Sequence, residues 1–167
     1  MPRVFISYRR ADSVTITGRI HDHLVHAFGQ ANIFKDVDDI PLGSDFRQVL
    51  DHEVSTCDVL LVIVGPTAVG KTALSLHLAE RHRGAIISAD SRQIYRGMDI
   101  GTAKPTPAEL SRAPHELIDI VDPDRHFSTG DYLPRLEASI LDVRGRGKTP
   151  IICGGTALYL KAYLDGF

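Results

Sequence analysis

Short apolar runs alternate with longer amphipathic stretches along the chain. The strongest run covers residues 59–64 and consists of valine, leucine and isoleucine. A continuous run of this kind is typical of a central parallel strand that is covered on both faces. Shorter apolar runs predict five more strands, at residues 4–6, 33–34, 86–87, 117–121 and 150–153.

Apolar residues recur at helical spacing between these runs and predict the intervening helices. Three predicted inner faces consist of Ile16, Ile20, Leu24 and Phe28, then Phe46, Val49, Leu50 and Val54, then Tyr132, Leu136, Ile140 and Val143. A helix at 73–79 is apolar almost all round, and another covers 157–164. Ser128 and Asp131 have the spacing of a capping box that opens the helix containing Tyr132. Alternating strands and helices predict a mostly parallel sheet with helices on both faces.

Composition narrows the class of protein. The chain has 167 residues, of which 43% are hydrophobic and 24% charged, as expected for one globular domain or two small ones. A formal net charge of −2 provides no bulk attraction for nucleic acid. Since no apolar segment has the length of a membrane span or the character of a signal peptide, we expect a cytoplasmic protein without membrane contact. Cys57 and Cys153 are expected to be reduced, half-buried thiols.

The sharpest motif is a G-x-x-x-x-G-K-[ST] string directly after the strongest predicted strand. Its residues are Gly65, Pro66, Thr67, Ala68, Val69, Gly70, Lys71 and Thr72. In this context backbone N–H groups and a helix N-terminus bind phosphate oxygens, Lys71 reaches a terminal phosphate, and Thr72 holds Mg²⁺. The alternative is a helix-entry turn that binds nothing.

Carboxylates follow two of the predicted strands and are candidates for chemistry at the same sheet edge. Asp90 follows the strand at 86–87, where it is predicted to act as a general base or as a second-layer group around Mg²⁺. A cap of the following turn is the alternative role. Asp119 and Asp122 compete for the metal role but rank below Asp90, and a Gly-Gly-Thr turn at 154–156 is expected beside the site.

From residue 64 to 167 the chain closely resembles the opening part of the tRNA dimethylallyltransferase family. The strings that carry this resemblance are GPTAVGKTAL at 65–74, SADSRQIYRGMDIGTAKP at 88–105, LIDIVDP at 117–123 and GGT at 154–156. The resemblance implies that the phosphate loop holds dimethylallyl diphosphate and that Asp90 activates the exocyclic amine of an adenine. It also implies that Ser91, Arg92 and Gln93 lie near the tRNA.

From residue 4 to about 64 the chain instead resembles bacterial TIR domains. The strings are FISYRR at 5–10, DVDDIPLGSDF at 36–46 and CDVLLVI at 57–63. In NAD-cleaving TIR domains the catalytic glutamate lies on the helix after the third strand, and here the phosphate-loop helix takes that place. Because Glu53 precedes this strand, we expect no NAD cleavage.

The two resemblances meet inside the strand at 59–64, which serves both halves. We therefore interpret residues 1–167 as one hybrid domain, a recombined or designed chimera of a TIR-like half (1–63) and a phosphate-loop transferase-like half (64–167). The predicted fold is a doubly wound, three-layer α/β/α sandwich, in which a flavodoxin-like half is fused to a P-loop NTPase-like half. Its sheet has five to six mostly parallel strands, ordered by midpoint as 33, 5, 61, 152 and 87, with 117–121 toward an edge. A shared sheet avoids exposing two strand edges at the junction.

The sequence is compatible with three functions. The first is binding of ATP, ADP or dimethylallyl diphosphate with Mg²⁺, without full turnover. The second is residual prenyl transfer to tRNA, or slow nucleotide hydrolysis in which Asp90 positions water. The third is a TIR-type interaction module whose acidic loop at 36–43 contacts a partner. The sequence leaves the oligomeric state open.

Overall fold

A computed structural model describes fewer than half of the residues in the first third of the chain and nearly all of the rest. The described residues are 3–8, 18, 21–22, 24–26, 29–35, 49, 52–54, 56–63 and 71–165. The phosphate-loop residues 65–70, the acidic loop 36–43 and most of the two helical patterns that precede residue 57 lie outside this set.

Strands and helices alternate along the described chain, as the apolar pattern predicts. The strands are β1 (Val4–Tyr8), β2 (Ile33–Lys35), β3 (Val59–Ile63), β4 (Gly84–Ser88), β5 (His115–Glu116) and β6 (Thr149–Gly154). The helices are α1 (Lys71–Arg81), α2 (Pro107–Leu110), α3 (Thr129–Gly145) and α4 (Ala157–Asp165), and a 3₁₀ turn at Gln30–Asn32 leads into β2. Within the described residues, no helix combines the length and apolar character needed to cross a bilayer.

All six strands form one sheet in the order β2-β1-β3-β6-β4-β5. Every neighbouring pair is parallel, and β3 lies at the centre with β1 on one side and β6 on the other. The register pairs Val59 with Val4 and Leu60 with Ile151. The predicted strand order and α/β fold class are confirmed, and strands from both resembling segments share this one sheet.

The two sheet faces carry separate apolar cores, because side chains alternate along a strand. On one face Ile6, Ile87 and Ile152 pack with α3 and α4. On the other face Phe5, Ile86 and Ile151 pack with α1 and with Val54. Helices thus cover both faces, as a doubly wound fold requires. The four residues predicted for the inner face of α3 are all buried, and they are Tyr132, Leu136, Ile140 and Val143.

The predicted capping box opens α3. The Ser128 side chain accepts a hydrogen bond from the Asp131 backbone N–H at 3.2 Å, and an Asp131 carboxylate oxygen accepts one from the Ser128 N–H at 2.8 Å. Hydrogen bonds from the Ser128 side chain and backbone lower the pKa of Asp131. A second box, between Thr106 and Glu109, opens the short helix α2. Both boxes satisfy backbone N–H groups that have no partner within the helix.

The strand predicted at residues 117–121 is wrong in position. The strand at this sheet edge is β5, at residues 115–116, and Val121 forms only an isolated bridge with Tyr95. Leu117 and Asp119 have φ values of 61° and 55°. An extended strand requires negative φ, so these two residues turn the chain instead of extending it.

The two cysteines are free and half-buried, as predicted. Burial raises the pKa of the Cys57 thiol to about 12, and its Sγ donates to the carbonyl of Val54 at 3.2 Å. Burial also raises the pKa of Cys153. Since the thiolate is the nucleophilic form, both thiols are unreactive at neutral pH.

Candidate functional site

A cavity of about 730 Å³ opens at the carboxyl ends of β4 and β6, next to the beginning of α1. In open parallel α/β sheets, ligands bind at this edge. The structure brings every described member of the predicted site to the cavity wall, namely Lys71, Thr72, Asp90, Ser91, Arg92 and Gln93. The six other predicted members, Gly65, Pro66, Thr67, Ala68, Val69 and Gly70, lie outside the described residues.

Lys71 and Thr72 are the first residues of α1, and both are half-buried. The Lys71 Nζ atom lies 3.2 Å from the point that a Cβ on Gly155 would occupy. A side chain at Gly155 would therefore press on the lysine amine. The beginning of a helix carries partial positive charge and backbone N–H groups without intrahelical partners. This part of the cavity thus combines a lysine with the features that favour anion binding.

Asp90 follows β4 and is half-buried. Its Oδ1 atom accepts a hydrogen bond from the Arg92 N–H at 2.9 Å, which is the turn-capping role considered above. Its Oδ2 atom lies 3.6 Å from the same Cβ point on Gly155 that Lys71 approaches. One carboxylate oxygen therefore caps the turn, and the other lies within 4 Å of the same point at Gly155 as the lysine amine.

The three residues after Asp90 differ in what they offer to a ligand. Ser91 and Arg92 are exposed at the cavity wall. Gln93 is half-buried, and both ends of its amide are bound by the protein. Its Oε1 atom accepts from the Ser88 hydroxyl at 2.9 Å, and its Nε2 atom donates to the Ala103 carbonyl at 2.9 Å. Gln93 therefore joins the end of β4 to the 101–105 wall of the cavity.

The two competing aspartates do not line the cavity. Asp119 pairs with Lys104 at 2.6 Å, and Asp122 pairs with Arg96 at 2.7 Å. The Lys104 amine also contacts Asp99 at 2.8 Å and the Tyr95 carbonyl at 2.6 Å, and its side chain is only 6% exposed. Burial opposes the charge on Lys104, but these two carboxylates outweigh it and raise its pKa. Asp119 and Asp122 are thus parts of ion pairs that hold loops together.

His115 lines the cavity, although sequence reasoning missed it. Its Nδ1 atom lies 2.9 Å from the Ala113 carbonyl oxygen, and burial lowers its pKa. A neutral ring that donates from Nδ1 keeps Nε2 as an acceptor. Only the tertiary structure reveals that His115 belongs to the cavity, because the pairing of β5 with β4 places it opposite Ile86.

The Gly-Gly-Thr turn also lines the cavity, beside Asp90. A Cβ at Gly154 would lie 2.2 Å from the backbone C and O atoms of Ala89, so the close approach of these two strand ends requires glycine. The Thr156 N–H donates to the Ala89 carbonyl at 3.0 Å, and its Oγ1 atom accepts from the Ser91 N–H at 2.9 Å.

Glu53, the residue compared with the TIR glutamate, lies elsewhere. It forms an ion pair with Arg3 at 2.8 Å. Both residues line a second cavity of about 190 Å³ together with residues 31–34 and Cys57, where β1 and β2 begin. This is the amino-terminal edge of the sheet, opposite the larger cavity. The absence of NAD cleavage remains a prediction.

Two family models match the chain. The model described as TIR domain matches residues 4–127, which is more than half of the chain. The model described as IPP transferase matches residues 93–167. The two matches overlap at residues 93–127, and together they are consistent with a chimera.

Similar proteins and structures are transferases. A tRNA dimethylallyltransferase of Roseiflexus castenholzii is 63% identical over 108 residues, covering 65% of this chain and 35% of the relative. One of Streptococcus thermophilus is 55% identical, covering 65% and 36%. The chain thus spans about a third of the length of these curated relatives.

Two solved structures support the fold of the same segment. The tRNA isopentenylpyrophosphate transferase of Bacillus halodurans superposes with a TM-score of 0.62 at 50% identity, covering 66% of this chain and 36% of that one. A eukaryotic dimethylallyltransferase acting on tRNA gives 0.58 at 37% identity, covering 60% and 25%. The residues that line the larger cavity belong to the part of the chain that resembles transferases.

Proposed function

We propose that this chain, which belongs to the TIR domain family over residues 4–127 and matches the IPP transferase model over residues 93–167, binds the diphosphate group of a small ligand together with Mg²⁺. The binding site is the 730 Å³ cavity at the carboxyl ends of β4 and β6. The observation that carries the proposal is that Lys71, Thr72 and Asp90 line this one cavity, although the rest of α1 and the whole of β4 separate them along the chain.

The phosphate end of the ligand would bind at the beginning of α1. Lys71 supplies a full positive charge there, and the helix N-terminus adds partial positive charge. The G-x-x-x-x-G-K-[ST] string that leads into α1 is the motif whose backbone N–H groups hold phosphate oxygens. A diphosphate, ATP or ADP meets these requirements, and dimethylallyl diphosphate is favoured by the names of the similar transferases.

The residues present fit Mg²⁺. The Thr72 hydroxyl and the Asp90 carboxylate both line the cavity, and oxygen donors of this kind are the ligands that Mg²⁺ prefers. Thr72 would hold the ion directly, and Asp90 would orient a water of its shell. When bound, the ion would neutralise phosphate charge.

The end of an RNA loop would bind at the wall of the cavity beside Asp90. Ser91 and Arg92 are exposed beside Asp90, and arginine pairs well with phosphate. In the alternative function, residual prenyl transfer, Asp90 would instead accept a proton from the exocyclic amine of an adenine. We propose binding without full turnover, because prenyl transfer needs several groups held within fractions of an ångström. Among the described lining residues, the basic side chains that carry charge are Lys71 and Arg92.

Calorimetric titration tests the binding proposal. Purified protein is titrated with dimethylallyl diphosphate, inorganic pyrophosphate and ATP, each with Mg²⁺. We expect saturable binding that Lys71→Ala weakens by about 100-fold, since a charged hydrogen bond to phosphate is lost. The matched control is Lys161→Ala, on the exposed face of α4, which should bind normally. Absence of binding by folded wild-type protein would refute the proposal.

A separate assay tests turnover. Unmodified tRNA and labelled dimethylallyl diphosphate are incubated with the protein and Mg²⁺, and label on tRNA is counted. We expect no incorporation above the Asp90→Asn control. Incorporation that depends on Asp90 would replace the binding proposal with residual prenyl transfer.

A further inference from the structure

We infer that Thr156 is a positioning residue that holds the Asp90 carboxylate on the side of the cavity where Lys71 lies, and that this placement makes anion binding in the cavity depend on Mg²⁺. The inference rests on the diphosphate binding proposed above and adds how that binding is controlled. It concerns a residue 66 positions away from Asp90 in the sequence, on the turn after another strand.

Thr156 binds the residues on both sides of Asp90. Its backbone N–H donates to the carbonyl of Ala89 at 3.0 Å. Its Oγ1 atom accepts from the Ser91 N–H at 2.9 Å and lies 3.2 Å from the Ser91 Oγ. A single residue thus fixes the chain immediately before and after the carboxylate.

The two glycines before Thr156 allow its turn to approach the end of β4 closely. At Gly154 a Cβ would overlap the Ala89 backbone, so only glycine lets β6 end against the end of β4. At Gly155 the missing side chain leaves room for two charged groups, Lys71 Nζ and Asp90 Oδ2, which both lie within 4 Å of one point. The turn therefore sets the separation between the lysine amine and the carboxylate.

A fixed carboxylate in the same cavity as the lysine proposed to bind phosphate has opposite effects with and without a cation. Without Mg²⁺ its negative charge repels a diphosphate that approaches Lys71. With Mg²⁺ the same charge attracts the ion and orients its water shell. The Mg²⁺ stimulation of binding, meaning the ratio of Kd without Mg²⁺ to Kd with Mg²⁺, therefore reports where the carboxylate lies.

Thr156→Val and Thr156→Ser test this inference in the full chain. Valine keeps the shape of threonine but cannot accept from the Ser91 N–H, whereas serine can. The probe is inorganic pyrophosphate, titrated calorimetrically with Mg²⁺ and again with a chelator. For Thr156→Val we expect tighter binding without Mg²⁺, weaker binding with it, and a stimulation ratio reduced about tenfold, as for the loss of one or two hydrogen bonds. Thr156→Ser should keep the wild-type ratio.

A double-mutant cycle shows whether Thr156 acts through Asp90. Asp90→Asn should reduce the ratio in the same direction, and Thr156→Val should then add nothing in the Asp90→Asn background. Amide hydrogen exchange provides a readout without ligand. The Ser91 N–H should exchange at least about tenfold faster in Thr156→Val, because its acceptor has been removed, and at the wild-type rate in Thr156→Ser.

The outcomes separate the inference from the proposed function. If wild-type protein binds pyrophosphate and Lys71→Ala does not, but Thr156→Val weakens binding equally with and without Mg²⁺, the threonine is only structural and the inference is wrong. An effect of Thr156→Val that persists at full size in the Asp90→Asn background, or unchanged Ser91 exchange, also overturns it. Absence of pyrophosphate binding by the wild type refutes both.

Discussion

The two resembling segments contribute different things to one sheet. Every described residue that lines the large cavity lies between residues 71 and 156, in the transferase-like segment. The described cavity of the TIR-like segment is about a quarter as large, lies where β1 and β2 begin, and contains a paired Arg3 and Glu53. Strands β1, β2 and β3 nevertheless form half of the sheet. Among the described residues, the first segment therefore contributes strands to the sheet, and the second contributes the wall of the candidate site.

This difference indicates how the two segments are held together. Strand β3 pairs with β1 of its own segment and with β6 of the other, so neither side of it is an open edge. Each apolar core also contains residues from both segments, such as Ile6 with Ile152 on one face. We propose that the two segments fold as one unit and that the site depends on the scaffold. Four predictions test this division of roles.

The largest effect is expected at Gly154, where the ends of β4 and β6 meet. In Gly154→Ala the new Cβ would overlap the Ala89 backbone, and we expect a loss of about 3 kcal/mol in the free energy of unfolding. The control is Gly145→Ala in α3, where a new Cβ would meet nothing within 4 Å. Because alanine favours the helix more than glycine does, this change should raise the free energy of unfolding by up to about 1 kcal/mol. Urea unfolding measures the free energy of unfolding of both variants. Equal values would contradict the close approach of Gly154 to Ala89.

A comparable effect is expected for Ile6→Ala, which deletes a fully buried side chain of β1. We expect a loss of about 3 kcal/mol from the cavity that it leaves. Because the core is shared, amide NMR signals of α3 should be lost in the same thermal transition as those of β1. Leu141→Ala, at a residue on α3 that is 71% exposed, is the neutral control. Survival of the α3 signals after β1 has unfolded would show two independent units.

A smaller effect is expected at Asp58, which ties the two segments together. Its carboxylate accepts from the Arg3 backbone N–H at 2.8 Å and pairs with Arg144 at the end of α3. Asp58→Ala should cost about 1–2 kcal/mol. Arg144→Ala should cost less than about 1 kcal/mol, because that ion pair is partly exposed. A double-mutant cycle by urea unfolding measures the coupling energy between Asp58 and Arg144. If the two losses in the free energy of unfolding simply add, the two residues do not stabilise each other.

The smallest effect concerns His115 and pH. Burial holds its pKa below the usual value near 6.5, so folding favours the neutral ring and protonation opposes folding. Stability should therefore fall as pH drops through and below 6.5. His115→Gln should flatten this part of the curve when the free energy of unfolding is measured from pH 5 to 7.5. An unchanged curve would mean that the ring is equally easy to protonate in both states.

Much of the fold could be predicted from local patterns. The apolar run at 59–64 marked the central strand, and the spacing of Ser128 and Asp131 marked the beginning of α3. The prediction of a strand at 117–121 was wrong, because an apolar run does not reveal that Leu117 and Asp119 adopt positive φ. Within the candidate site, Asp90 could be predicted from its place after a strand. The pairing of Asp119 with Lys104 could not, since it depends on how two loops fold back on each other.

The sequence by itself determined most of the strands and helices, the capping box and the string before α1, because these depend on residues a few positions apart. Only the tertiary structure decided which groups meet. Thr156 reaches Ser91 across 65 residues, and Asp58 reaches Arg144 across 86. The first contact follows from the parallel pairing of β4 with β6, which brings their carboxyl ends together, and the second follows from the packing of α3 on the sheet. The physical reason is that a strand's apolar pattern specifies burial, whereas the identity of its neighbours is set by the packing of the whole sheet.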